Sequence, residues 1–173
     1  MKIAIIGKIC SGKSYLANYL KDKHNFEILS FGEPVKKYAK EIFNLKFKNR
    51  EIIQKFAQSV KEIDNDVWVK YLINNLDKHK HKHIVIDDLR FKNEQFALKK
   101  RGFIFIKLEI IEDFQIERIK KTYPDHYNVH INRLNDVSEN NNILEYDYEF
   151  KITKESEGQL IKFIDTILFD IKK

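Results

Sequence analysis

Residues 2–14 constrain this chain more than any other stretch. Lys2-Ile-Ala-Ile-Ile6 is a short apolar run bounded by Gly7, the pattern of a strand buried on both faces of a parallel sheet. It leads into Gly7-Lys8-Ile9-Cys10-Ser11-Gly12-Lys13-Ser14, which fits G-x-x-x-x-G-K-[ST]. A helical pattern follows over 14–23, with Leu16 and Leu20 on one face. Strand, glycine-rich loop and helix in that order are what a polyphosphate cradle requires. Glycines let the backbone approach the phosphates and turn its N–H groups inward, and the helix N-terminus adds partial positive charge. Gly7, Lys8, Ser11, Gly12, Lys13 and Ser14 are therefore the candidate nucleotide-binding set. Lys13 reaches for the β- and γ-phosphates of ATP, and the Ser14 hydroxyl is placed to ligate Mg²⁺. Cys10 reads as a bystander in the loop.

The rest of the chain alternates. Strands are predicted at 26–31, 83–87, 103–108 and 148–152. Helices are predicted from Gly32-Glu-Pro34 to about 43, then over 49–63, 66–76, 93–101, 112–121 and 155–171. Asn49 and Asp66 suit N-caps, and Gly102 suits a helix end. This order predicts a single α/β domain with a mostly parallel sheet, a size that 173 residues fit well. Three consecutive helices between the second and third strands form an insertion. Residues 122–142 are polar and weakly patterned.

Two further clues concern charge at the strand ends. Ile84-Val-Ile-Asp87-Asp88-Leu-Arg90 is an apolar strand that ends in carboxylates, at the sheet edge where ligands of open α/β folds bind. Asp87 or Asp88 can hold Mg²⁺ through water or orient an acceptor phosphate, and either can instead cap the following helix. Arginine is sparse, and Arg50, Arg90, Arg118 and Arg133 sit in or beside polar connectors. A guanidinium suits bidentate phosphate binding. Arg118 and Arg133 flank the polar 122–142 stretch, as a lid over a triphosphate requires, although surface ion pairs would use the same residues.

Composition narrows the classes. No apolar run approaches the ~18 residues of a membrane helix, and the apolar start is too short for a signal peptide. One cysteine excludes an internal disulfide and fits a reducing compartment. The expected location is the cytoplasm, of the host if the protein is viral. The net charge of +6 favours anionic partners without choosing among them. The lysines are spread along the chain, so nucleic acid is not the expected partner. His79-Lys-His81-Lys-His83 reads as a solvated connector more readily than as a metal chelate.

Several segments taken together resemble the deoxynucleoside monophosphate kinases of bacteriophages and large DNA viruses, within the P-loop nucleoside monophosphate kinase group. They are Ser30-Phe31-Gly32-Glu33-Pro34-Val-Lys36, Arg50 to Gln54 followed by Asp66-Val-Trp68, and Asp87-Asp88-Leu-Arg90-Phe91-Lys-Asn93-Glu94. Asp136-Val-Ser138-Glu139 and Tyr146-Asp147 complete the set. The chain departs from the family pattern at Ala57 (glycine expected), Lys61 (arginine expected) and Thr153 (asparagine expected).

The resemblance implies a three-layer α/β P-loop kinase fold. Its core would be residues 1–31, 83–112 and 143–173, with a helical acceptor-binding insertion over 32–78 and a lid at about 113–142. It implies ATP + (d)NMP → ADP + (d)NDP, with Mg²⁺ and no general base. The acceptor phosphate is already largely dianionic near neutrality, because its second pKa is ~6. Ser30, Phe31, Lys36, Arg50, Gln54, Trp68 and Arg90 would serve the acceptor. Lys13, Arg118, Arg133 and Asp88 would serve transfer, with Ser14 and Asp88 on the metal. The partner is then a small nucleotide rather than a membrane, and homodimer formation stays open. A kinase of dephospho-coenzyme A or phosphomevalonate would share the fold, and a nucleotide-gated nucleic-acid-binding module is the alternative from another class.

Overall fold

The computed structural model describes residues 1–47, 49–79, 82–132, 134 and 144–171. Its core is a five-stranded sheet in the order β2-β3-β1-β4-β5, with β1 Lys2–Gly7, β2 Phe26–Leu29, β3 His83–Ile86, β4 Ile104–Ile110 and β5 Tyr148–Ile152. Every neighbouring pair is parallel. The central strand β1 aligns Ala4 with Ile86 on one side and with Phe105 on the other.

Side-chain alternation along the strands divides the core into two layers. On one face Ile3, Ile5 and Ile106 meet Leu16 and Leu20 of α1 (Lys13–His24), Phe114 of α6 (Glu112–Thr122) and Ile164 and Leu168 of α8 (Leu160–Ile171). On the other face Ala4, Ile6 and Ile84 meet Leu72 and Leu76 of α4 (Val67–Leu76) and Leu98 of α5 (Lys92–Lys99). The result is the expected three-layer α/β arrangement. Because β1 is covered on both sides, its sequence is continuously apolar instead of alternating.

Between β2 and β3 run α2 (Gly32–Ile42), α3 (Arg50–Ile63) and α4. Asn49 caps α3 as expected, its side-chain oxygen accepting from the Ile52 N–H at 3.1 Å. Asp66 holds the N-cap position of α4, but its side chain makes no capping bond there. It accepts instead from Asn93 Nδ2 at 2.8 Å and so ties α4 to α5. Gly102 turns the chain after α5 with φ +72°. Among its described residues the polar stretch after α6 contains a short helix that its weak pattern did not reveal, α7 Tyr127–Ile131. Its His130 is buried and stacked on Tyr123, with ring centroids 4.1 Å apart.

Leu20 is fully buried against the sheet, whereas Ile63 at the end of α3 is 88% exposed. Leu20→Ala should cost about 3 kcal/mol of unfolding free energy in urea titration, from lost transfer energy and the cavity left behind. Ile63→Ala should stay within about 0.5 kcal/mol of the parent.

Candidate functional site

The loop between β1 and α1 is held in one shape by close contacts. A Cβ on Gly7 would stand 2.5 Å from Ser11 Oγ and 2.9 Å from the Leu108 carbonyl, so only glycine fits there. Cys10 and Gly12 adopt φ of +61° and +90°, the left-handed conformation that costs a side-chain-bearing residue energy. Ser11 is fully buried, and among the described residues its hydroxyl has no hydrogen-bond partner. Lys13 arches back over the loop and donates to the carbonyls of Gly7 at 2.6 Å and Lys8 at 2.7 Å. Ser14 Oγ donates to Asp87 at 2.7 Å.

Helix α6 braces the loop from the side. Gln115 Nε2 donates to the Ile9 carbonyl at 2.8 Å and Arg118 Nη1 to the Cys10 carbonyl at 2.9 Å. The Arg118 guanidinium also lies over the Phe114 ring at 5.2 Å.

At the end of β3 the two aspartates diverge. Asp87 faces Ser14. Asp88 faces the start of α2, where its carboxylate accepts from Ser30 Oγ at 2.7 Å and from the Phe31 and Gly32 N–H groups at 3.0 and 2.9 Å. Ser30 Oγ in turn accepts from the Gly32 and Glu33 N–H groups, both at 3.1 Å. Together they satisfy the donors that open a helix. Asp88 thus takes the capping role that the sequence left open, at another helix. It caps α2 rather than α5, and its oxygens are engaged by three donors. The carboxylate on the Ser14 side is Asp87.

Three adjoining cavities surround this framework. The central one, about 480 Å³, is lined by the loop from Ile9 to Ser14 and by Ser30, Lys36, Asp87, Asp88, Arg90 and Arg118. Four cations against two carboxylates make it attractive to anions. A second cavity of about 340 Å³ shares Ser11, Gly12, Tyr15 and Arg118 with the first and continues toward Ile152 and Leu160. A third, about 200 Å³, shares Asp88 and Arg90 with the first and reaches between Phe31, Trp68 and Phe91. Ala57 and Lys61, two departures from the family pattern, also line the third cavity.

The structure thus brings Ser11, Gly12, Lys13, Ser14, Ser30, Lys36, Asp88, Arg90 and Arg118 to the central cavity, and Phe31 and Trp68 to the third. Gly7 and Lys8 shape the loop from behind. Trp68 is largely buried, its Nε1–H donating to the Ala57 carbonyl at 3.3 Å, and its ring lies 5.9 Å from that of Phe56. Its packing is that of a core residue with one face on the cavity. Arg50 and Gln54 stand exposed on α3 and line none of the three cavities. Arg133, Asp136, Ser138 and Glu139 lie outside the described residues. Thr153 closes a local turn, its hydroxyl donating to Glu155 and accepting from the Glu155 and Ser156 N–H groups. His79 pairs with Glu27, and His83 meets the N-terminal amine. Among the described residues no group of three His, Cys, Asp or Glu is placed to hold a metal.

No motif marks Gln115. The available signal was a polar residue in the buried register of α6, between Phe114 and Ile119. Glu94, on the wall of the third cavity, also belongs to the site. Its Oε2 accepts from the Arg90 and Phe91 N–H groups at 2.9 and 3.1 Å, which fixes the turn that carries Arg90.

Burial pushes the Glu94 carboxyl up to about 7, against the pull of those two donors. A carboxyl whose pKa is raised on folding stabilises most below its unfolded value, near 4.5, and loses that contribution as pH rises through 7. Wild type should therefore lose on the order of 3 kcal/mol relative to Glu94→Gln between pH 4.5 and 7.5, in paired denaturant titrations.

Comparison with known proteins agrees with this geometry. A family model described as an AAA domain matches residues 3–141. A relative from Acanthamoeba polyphaga mimivirus named "Putative deoxynucleotide monophosphate kinase" is 28% identical, over 62% of this chain and 72% of its own length. Among solved structures, TT1252 from Thermus thermophilus superposes with a TM-score of 0.66 at 13% identity, covering 98% of this chain and 97% of its own. Shikimate kinase from Acinetobacter baumannii, in complex with shikimate, gives 0.55 at 14% identity, covering 99% and 95%. These structural likenesses show a shared fold. With the family model spanning most of its length, the chain belongs to the AAA-domain family and is built on the fold of the P-loop kinases.

Proposed function

We propose that this chain transfers the γ-phosphoryl group of ATP to the phosphate of a nucleoside monophosphate, deoxyribose or ribose. The observation that carries the reading is the row of three adjoining cavities, with Lys13, Lys36, Arg90 and Arg118 converging on the middle one. The family match and the mimivirus relative support it.

In this reading the cavity toward Ile152 and Leu160 takes the donor base. The aromatic-walled cavity between Phe31, Trp68 and Phe91 takes the acceptor base, whose flat face suits such walls. Helices α2–α4 are the acceptor side of the molecule, and since α6 packs Phe114 and Ile119 into the core, any lid of this reading lies beyond α6.

The chemistry then follows from charge. An acceptor phosphate oxygen attacks the γ-phosphorus, its new P–O bond forms as the bond to the β-phosphate oxygen breaks, and ADP leaves. The obstacle is the meeting of two anions, so the site supplies cations and in-line placement instead of a base. Lys13 leaves the loop carbonyls for the β- and γ-phosphates. Arg118, already on the loop, faces the triphosphate. Arg90, held by the Glu94 turn, faces the acceptor phosphate with Lys36 beside it, and Arg133 would complete the lid. Ser14 and Asp87 present hard oxygen donors 2.7 Å apart on the cavity wall, the donor type magnesium takes alongside substrate phosphates and water. Bound there, magnesium would neutralise β- and γ-phosphate oxygens. Asp88 positions instead of reacting, since it fixes the α2 start and hence Ser30 and Lys36.

A coupled ADP-release assay across ribo- and deoxynucleoside monophosphates tests the reading, with dephospho-coenzyme A, phosphomevalonate and shikimate as contrasting acceptors. At least one nucleoside monophosphate should be phosphorylated, with a kcat/KM well above that of the contrasting acceptors. Preference for a contrasting acceptor would reassign the third cavity. Lys13→Ala should fold normally yet lose about 10³-fold or more in kcat, the scale of losing a central charge on the transferring group. Asp87→Asn should raise the magnesium concentration needed for half-maximal rate, whereas Asp88→Asn should chiefly lower the thermal midpoint.

A further inference from the structure

Gln115 is 1% exposed, on the side of α6 that faces the phosphate loop. A leucine or methionine would fill that space without a polar group to satisfy. Instead the amide spends its N–H on the Ile9 carbonyl at 2.8 Å, and among the described residues its Oε1, also buried, has no hydrogen-bond partner. A buried amide oxygen without a partner is costly, so the N–H to Ile9 has to be worth more than good packing at this place.

What it holds is the crest of the phosphate loop. Ile9 precedes Cys10, whose φ is +61°. One turn further along the same helix, Arg118 holds the Cys10 carbonyl. Two successive loop carbonyls are thus drawn toward α6. Peptide planes are rigid, so anchoring the carbonyl of Ile9 also orients the N–H of Cys10 on the opposite edge of the same peptide. A phosphate cradle works only with such N–H groups aligned toward the ligand. Arg118 cannot hold the loop alone during turnover, because it also lines the central cavity and is drawn to the triphosphate. Gln115 lines none of the three cavities, so a ligand does not compete for it.

We propose that Gln115 is a positioning residue for ATP. From outside the cavity, its Nε2–H···O=C bond to Ile9 fixes the phosphate loop in its anion-binding shape and makes α6 the strut that braces the loop. The inference rests on the reading of this loop as the ATP cradle.

The test is direct titration of wild type and Gln115→Met with ATP and magnesium in the absence of acceptor, alongside thermal midpoints and steady-state kinetics. Gln115→Met conserves shape and carries no charge. It should bind ATP about tenfold more weakly and raise the KM for ATP to match, while the KM for the acceptor stays within twofold. Equal ATP affinity in the folded variant and wild type would overturn the role of Gln115 and leave the cradle intact. Failure of wild type itself to bind millimolar ATP would overturn both. A change in thermal midpoint with unaltered ATP affinity identifies a purely structural residue and likewise overturns the proposal. A measurement on wild type guards against a variant that does not fold. The Gln115 side-chain amide protons, followed by ¹⁵N-resolved NMR, should exchange slowly in the free protein and shift when ATP binds. Unshifted resonances, or exchange as fast as that of exposed glutamines, would also overturn it.

Discussion

The contact between Gly7 and Ser11 governs the molecule. The last residue of the central strand has no side chain, and the space a Cβ would need is taken by the Ser11 hydroxyl and the Leu108 carbonyl of the neighbouring strand. The loop can therefore fold tightly over the end of β1 and enter α1 at Lys13. Sheet order, helix α1 and the cavity all radiate from that junction. β1 is central because both its faces are apolar, and its C-terminal end lies beside the end of β3 that runs into Asp87 and Asp88.

Around the junction the polar groups divide the labour by location. Asp87 and Ser14 face the loop side, whereas Asp88 and Ser30 secure the beginning of α2. Glu94 shapes the turn that presents Arg90. Gln115 and Arg118 reach the loop from α6. Most of these groups bond to backbone rather than to one another. This suits a site that must keep donors aimed at charge that arrives with a ligand, since the reorganisation is done when the chain folds.

Much of this was legible from residues alone. The strands were readable because β1 and β3 are short apolar runs, apolar residues dominate β2 and β4, and in β5 Tyr148, Phe150 and Ile152 alternate with charged residues, and the loop because its glycines and lysine have one good physical explanation. Asn49 was readable as a cap because capping is local. Asp66 and Asp88 were not, because their partners lie 27 and up to 58 residues away in sequence. Two adjacent aspartates at a strand end present identical sequence signals. Only the third dimension shows that one meets Ser14 and the other meets α2. Gln115 escaped because its register beside Phe114 and Ile119 says only that it is buried, while its partner Ile9 lies 106 residues away. Arg50 and Gln54 illustrate the converse, since residues placed by resemblance on α3 stand outside the cavities that the backbone forms.

The divergence of Asp87 and Asp88 sets a ruler across the protein. Adjacent residues in a chain are separated by about 3.8 Å from Cα to Cα, a length fixed by covalent bonds. One of the pair indexes the loop side of the central cavity and the other indexes the α2 side. The bonds that index the two halves therefore start from backbone positions one peptide unit apart.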